Sequence, residues 1–170
     1  NQDESDYSFT MALRNNHIVN TSQLYFTPVG GIQTDSAGNQ TLTLRLQSES
    51  EASLDFVYTL PANDYMLGFK VRGNKMNSIM PLGSNYMIFN WDAKIQEKGR
   101  QFEERYSTLS YKYVADDMES LDAAKDDSKK IANKIKWVAF KDQFFSSVLI
   151  AGNEFSNSTL ESKLEDKESG

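Results

Sequence analysis

The side chains that could carry acid–base or nucleophilic chemistry are few in this sequence. His17 is the only histidine, and there is no cysteine. A catalytic triad needs a base beside a nucleophile and an orienting acid, whereas the segment RNNHIVN around His17 is typical of a surface loop that links two strands. One histidine and no cysteine also argue against the usual zinc sites. The sequence therefore predicts no catalytic residue, no metal site and no cofactor.

A carbohydrate site is the alternative that the residues leave open. Paired carboxylates can hydrolyse glycosides, but the chain has 24 acidic residues and their spacing singles out no pair. In the segment FNWDAK, Trp91 stands beside Asp92, a combination suited to stacking on a sugar ring and accepting its hydroxyl protons. On an alternating strand, however, Trp91 is expected to pack into the sheet. The alternative function is a carbohydrate-binding or carbohydrate-modifying β-sandwich of an exported protein, which would also use exposed tyrosines.

The overall charge narrows the range of partners. The chain of 170 residues has a formal net charge of −6 and no basic cluster. Because a polyanion would be repelled on average, nucleic acid and anionic lipid surfaces are poor candidate partners. The most apolar stretch, Ile135 to Gly152, is interrupted by Lys136, Lys141 and Asp142. Since a transmembrane helix needs about 20 predominantly apolar residues, we expect this stretch not to span a bilayer.

Most of the chain alternates between apolar and polar residues with a period of two, which indicates half-buried strands. Thirty-nine per cent of the residues are hydrophobic, as expected of a globular chain. Turn signals rich in proline, glycine and asparagine separate the alternating segments. The predicted strands are YSFTMALR, TLTLRLQS, SLDFVYTL, YMLGFKVRG, NYMIFNWDAKI and TLSYKYV. Many short strands at this spacing predict an all-β fold of antiparallel strands, a sandwich or a barrel.

One segment departs from this pattern. From Ala115 to Lys134 the chain is highly charged, with six acids between Asp116 and Asp127 that meet only one base, Lys125. Alanine, lysine and glutamate favour helix, so we predict a solvated, partly helical excursion between two strands. A disordered loop is the alternative. The segment contains no glycine and lacks the spacing of a calcium-binding loop.

The apolar stretch that follows is predicted to form two strands. Ile135 to Phe140 alternates, the tripeptide KDQ breaks the pattern, and a second apolar run ends at Gly152. Two strands joined by a short turn fit this pattern better than one helix. The run of Phe145, Val148, Leu149 and Ile150 predicts that the second strand is covered on both faces.

The same stretch carries a family resemblance. KWVAFKDQFFSSVLIAG resembles the W-[VI]-A-x-x-x-Q-[FY]-F segment in the large periplasmic domain of YidC-type membrane-protein insertases, in the form found in Bacteroidetes. The specific part covers about seventeen residues, and a weaker similarity runs from Tyr7 to Leu160. The matching positions are Trp137, Val138, Ala139, Gln143, Phe144 and Phe145. Of these, we expect Trp137, Ala139, Gln143, Phe144 and Phe145 to serve mainly in core packing.

The resemblance implies a fold and a setting. In the family this domain is a β-supersandwich similar to galactose mutarotase, lying at the periplasmic face of the inner membrane. The family's periplasmic domain is longer than this chain, so we expect the central portion of it. Residues 1–164 would form one β-sandwich domain, which includes the partly helical excursion noted above. Residues 165–170 would form a polar tail.

The resemblance also implies a function. The complete family proteins insert and fold inner-membrane proteins, and their partners are Sec translocon components and nascent membrane proteins. Mutarotases open the sugar ring with two histidines and a carboxylate, because one proton is given while another is taken. This chain has His17 alone, so we expect the fold without the enzymatic activity. Open sheet edges would favour a homodimer of the isolated chain.

Overall fold

The computed structural model describes residues 5–84, 86–93, 108–115, 117–122, 125–141 and 146–163. These residues form strands and three short 3-10 turns, and among them there is no α-helix. The turns span Arg14–Asn16, Thr21–Gln23 and Met76–Ser78. The strands are β1 (Ser5–Leu13), β2 (His17–Asn20), β3 (Thr27–Pro28), β4 (Gln33–Thr34), β5 (Gln40–Gln47), β6 (Ser53–Leu60), β7 (Gly68–Asn74), β8 (Ile88–Ala93), β9 (Thr108–Tyr113), β10 (Met118–Asp122), β11 (Asp127–Ile131), β12 (Ile135–Lys141), β13 (Ser146–Phe155) and β14 (Ser158–Ser162). The predicted all-β class is confirmed.

Contacts divide the chain into two compact units. One unit comprises residues 6–92, and the other comprises residues 93–170 together with residues 1–5. The single domain over residues 1–164 stays a prediction. The polar tail at residues 165–170 lies outside the described residues.

The unit of residues 6–92 contains two antiparallel sheets that share an aromatic core. One sheet has the order β2-β1-β8; the other has the order β3-β5-β6-β7, and β4 also pairs with β5. Alternation along β1 and β6 buries Phe9, Met11, Leu54 and Phe56 in one cluster. The ring centroids of Phe9 and Phe56 lie 5.4 Å apart, and those of Phe56 and Phe69 also lie 5.4 Å apart. Aromatic pairs at this separation add to the stability that burial provides.

The unit of residues 93–170 contains a four-stranded sheet of order β10-β9-β12-β13 and a two-stranded sheet of β11 and β14. Leu109, Tyr111 and Ile135 are its most deeply buried large side chains among the described residues. The apolar stretch forms two strands as predicted, because β12 pairs antiparallel with β13. Residues 142–145, where the pattern breaks, lie outside the described residues.

The predicted helical excursion is wrong. β10 pairs with β9, and β11 pairs with β14, so both described halves of the segment are strands. Leu121 and Ile131 are buried, whereas Glu119, Lys129 and Lys130 are exposed. Pairing with a neighbouring strand while two apolar side chains are buried outweighs the helix propensity of the charged residues, which is a weak preference.

The prediction that β13 is covered on both faces is also wrong. β13 ends its sheet, and the side chains of Val148 and Ile150 are 51% and 47% exposed. A β-bulge interrupts its pairing, since Ile135 faces Phe155 while Trp137 faces Ile150. The apolar composition therefore reflects an open surface in addition to buried residues.

Candidate functional site: a methionine-lined cleft

Three of the residues that carry the family resemblance, Trp137, Val138 and Ala139, lie on β12. Ala139 is buried and Trp137 is half-buried. Gln143, Phe144 and Phe145 lie outside the described residues. A packing role for all five residues stays a prediction.

The candidates for acid–base or sugar chemistry do not form a site among the described residues. His17 is exposed and is the first residue of β2, where it faces Leu13. Trp91 is half-buried and Asp92 is exposed, and neighbouring residues of a strand point to opposite faces. Trp91 and Asp92 therefore do not share one contact surface for a sugar. No group of three histidine, aspartate or glutamate side chains that could hold a metal ion occurs in the described part of the chain.

The described residues do form an apolar cleft in the unit of residues 6–92. The cleft has a volume of about 350 Å³ and lies beside β7, under the segment that leads from β7 to β8. This volume is at the lower end of the range for small-molecule sites, and could hold one or two large side chains. Its lining consists of Leu54, Val71, Gly73, Met76, Asn77, Met80, Pro81, Leu82, Gly83, Ser84, Tyr86 and Met87.

Two features place Met76 and Met80 in the wall of the cleft. A Cβ atom at Gly73 would lie 2.6 Å from the Cγ of Met76, so only glycine leaves room for the methionine to pack against β7. The 3-10 turn from Met76 to Ser78 then continues into Met80, whose N–H donates to the Met76 carbonyl at 2.9 Å. Lys75 precedes this turn with a φ of +51°, and its Nζ donates to Glu51 at 2.6 Å.

Arg14 anchors the same segment from the opposite sheet. Its backbone N–H donates to the Ile79 carbonyl at 2.7 Å. Its guanidinium donates to the Met80 carbonyl at 3.3 Å and to the Asn77 carbonyl at 2.9 Å. Because one charged residue holds three carbonyls, the wall of the cleft is fixed to the fold at its backbone.

A tight turn presents the most exposed apolar side chain of the cleft. The Ser84 N–H donates to the Pro81 carbonyl at 3.1 Å, and Gly83 supplies the positive φ of +84° that this turn needs at its third residue. Leu82 stands at the second position of the turn and is 95% exposed. The turn therefore places an exposed leucine at the rim of the apolar cleft.

The chemistry of the cleft is that of an uncharged, adaptable surface. None of the lining residues carries a charge, although the net charge of the chain is −6. Met76, Met80 and Met87 supply flexible, polarizable thioethers that can fit apolar partners of different shape. Asn77 and Ser84 add side chains able to hydrogen-bond. The cleft can therefore bind apolar side chains without covalent chemistry.

The sequence interpretation missed this cleft. Pro81 and Gly83 belong to the turn signals between the alternating segments, and no sequence pattern gave the methionines a role. The available signal was their clustering, since three of the six methionines of the chain fall at positions 76, 80 and 87.

The other unit contains a charged cluster that ties its two sheets together. Glu119 accepts hydrogen bonds from the hydroxyls of Tyr111, at 2.6 Å, and Tyr113, at 3.4 Å, and it pairs with Lys129. Lys129 hydrogen-bonds to Glu119 and thereby holds the pKa of that carboxyl below its ordinary value, with Tyr111 adding to the effect. Burial and the bond to Glu119 raise the pKa of Tyr111 to about 12. The two tyrosines and Lys129 all bond to Glu119, so we interpret the cluster as a structural bridge between β9, β10 and β11.

Comparisons with known proteins identify a family. The family model of the YidC periplasmic domain matches residues 1–169. The chain is similar to the membrane protein insertase YidC of Parabacteroides distasonis, with 44% identity over 162 residues that cover 94% of the chain and 25% of the relative. It is also similar to the membrane protein insertases YidC of Azobacteroides pseudotrichonymphae, 38% identical with 95% and 26% covered, and of Bacteroides fragilis, 38% identical with 89% and 24% covered.

Two further findings limit what can be concluded from these similarities. The chain spans about a quarter of the length of the curated relatives that it matches. No solved structure matches it, so the expected likeness to galactose mutarotase stays a prediction. Among the described residues, no helix has both the length and the apolar character that crossing a membrane requires.

Proposed function

The chain belongs to the YidC periplasmic domain family, and from this premise we propose that it is a non-catalytic contact domain of a membrane-protein insertase. In this role it assists the insertion and folding of inner-membrane proteins from the periplasmic side. Its contribution is to bind protein segments, since its described residues offer an apolar, uncharged cleft.

The observation that carries the proposal is the methionine-lined cleft. A segment of a membrane protein that has left the bilayer or has yet to enter it exposes apolar side chains to water, and burying them is favourable by about 25 cal/mol per Å². An uncharged cleft receives such side chains without removing a charge from water, which would be costly. Thioethers of Met76, Met80 and Met87 let one cleft accept segments of different sequence.

The partners follow from this function. Nascent membrane proteins are the proposed occupants of the cleft. Sec translocon components are proposed partners of the complete insertase, and a homodimer is proposed for the isolated chain. A carbohydrate function is less well supported, because Trp91 and Asp92 do not share a surface.

Peptide binding tests the proposal directly. The probe is a fluorescein-labelled peptide rich in leucine and alanine, made soluble by uncharged polar residues so that the net charge of the chain does not drive binding. Fluorescence anisotropy should show saturable binding to the purified chain. Leu82→Asp should weaken binding about tenfold or more, because a carboxylate would have to be desolvated against the peptide.

Ile32→Asp is the matched control. Ile32 is also an exposed apolar residue of the same unit but does not line the cleft, so this variant should bind as the unchanged chain does. A second peptide with serine in place of leucine should not bind. Equal weakening by the two aspartate variants, or no saturable binding to the unchanged chain, would contradict the proposal.

A further inference from the structure

The free edge of β13 is an unprotected strand. β13 ends the four-stranded sheet, and no described strand pairs with its outer side. From Ser146 to Asn153 it has eight consecutive residues without a charge and without proline. Val148 and Ile150 expose about half of their side-chain surface on one face of this strand. Strands with these properties tend to pair with another strand.

The other edges of the described sheets are protected. Natural proteins block sheet edges with charges, with proline or by keeping the edge strand short. Here the short edge strands are β2, with four residues, and β3 and β4, with two residues each. The protecting residues on the edge strands are Pro28 on β3, Lys70 and Arg72 on β7, Asp92 on β8, Glu119 on β10, Lys129 and Lys130 on β11, and Glu161 on β14. β13 is thus the exception among the described edge strands.

We propose that β13 is a self-association edge, where two copies of this chain pair antiparallel about a two-fold axis that passes between Val148 and Ile150. A two-fold contact requires a surface that complements itself. The uncharged stretch of β13 meets this requirement, because no like charges come together when it pairs with the same stretch of a second copy. Other surfaces of two chains of net charge −6 repel each other on average. Antiparallel pairing provides hydrogen-bond partners for the open backbone groups and places the exposed valines and isoleucines of both copies on one face.

Lys136 limits how far this pairing extends. Its Nζ donates to the carbonyls of Ala151, Gly152 and Asn153 at 2.9, 3.0 and 3.3 Å. The three carbonyls belong to the β-bulge, which disrupts the regular ladder at the end of the uncharged stretch. A contact limited to one short strand pair buries less surface than the roughly 1,200–2,000 Å² of stable interfaces. We therefore expect a reversible dimer with a dissociation constant in the micromolar range.

Sedimentation velocity over a range of concentrations tests the proposal. The unchanged chain should shift from monomer to dimer as its concentration rises. Val148→Lys should remain monomeric, because the two ammonium groups would be diagonal neighbours on one face of the paired strands, close to the two-fold axis, and Val148→Glu should do the same. An equal mixture of the two variants at low salt should regain dimerisation, since opposite charges then meet.

The mixture also guards against misfolding, because a variant that failed to fold could not restore the dimer. Ile18→Lys is the matched control: Ile18 is 72% exposed on the short strand β2, and this variant should dimerise as the unchanged chain does. If the unchanged chain is a monomer at all concentrations, the proposal is overturned. It is overturned even if the edge of β13 pairs instead with a strand of another protein. Loss of the dimer in Ile18→Lys, or no recovery in the mixture, also overturns it.

Discussion

The two units of this molecule reach stability by different means. In residues 6–92 two sheets share a cluster of aromatic rings, with Phe26 stacked on Phe56 at a centroid distance of 4.6 Å and Phe69 edge-on to Phe56 at 5.4 Å. In residues 93–170 the described core is mostly aliphatic, and charged side chains outside this core join its strands. Lys136 holds the bulge of β13, and Glu119 joins two tyrosines to Lys129.

The difference shows where each unit can offer a surface to a partner. A dense aromatic core and the anchor of Arg14 let the first unit keep an open apolar cleft without losing its fold. The second unit has an open strand edge. We therefore expect the first unit to bind segments through side chains and the second to pair through its backbone. Because the chain has one tryptophan in each unit, Trp91 and Trp137 report the unfolding of each unit separately.

The largest expected effect is in the aromatic core. Phe56 is buried between Phe9, Phe26 and Phe69, so Phe56→Ala should lower the free energy of unfolding by about 3–5 kcal/mol. The measurement is denaturant unfolding followed by Trp91 fluorescence in a Trp137→Phe background. A loss below about 1 kcal/mol would mean that the aromatic cluster does not stabilise this unit.

An intermediate effect is expected at the bulge. Lys136→Met keeps most of the length of the side chain but removes the ammonium that three carbonyls share. Leaving the Ala151 carbonyl, the one partly buried acceptor of the three, without a donor should cost about 1–3 kcal/mol, as seen by Trp137 fluorescence in a Trp91→Phe background. Lys130→Met, at an exposed position of β11, is the control and should change stability by less than about 0.5 kcal/mol. Equal losses in the two variants would show that the bulge does not depend on Lys136.

The smallest effect is a pH dependence of the charged cluster. The bond from Lys129 lowers the pKa of Glu119 in the folded chain. A carboxyl with a lowered pKa adds stability that is present above its unfolded value of about 4.3 and is lost as the pH falls through the folded value. In Glu119→Gln the stability of residues 93–170 should therefore fall less steeply below about pH 4.3 than in the unchanged chain. Parallel curves for the two chains would contradict this role. Asp55→Asn is the control. The pKa of Asp55 is also lowered, by its bond from Arg45, but Asp55 lies in the other unit, so this variant should leave the pH dependence of residues 93–170 unchanged.

The sequence predicted the strands whose burial alternates and missed those where charge obscures the pattern. SLDFVYTL coincides with β6 because its apolar residues face one cluster. β10 and β11 were predicted as a partly helical excursion, because only Leu121 and Ile131 mark their buried side and the partner strands β9 and β14 lie elsewhere in the sequence. The cleft depends on Arg14 bonding to Met80, 66 residues away. No local pattern contains such a contact.

The methyl groups of the methionines provide the most direct test of the central claim, which is that the cleft of residues 6–92 binds apolar protein segments. Three of the six methionines, Met76, Met80 and Met87, line the cleft, while Met66 and Met118 are exposed elsewhere. In a chain with 13C-labelled methionine methyls, titration with the leucine-rich peptide should shift the resonances of the three cleft methionines and leave those of Met66 and Met118 unchanged. Shifts of equal size at Met66 and Met118, or no shift at the three cleft methionines while the peptide binds, would contradict the account.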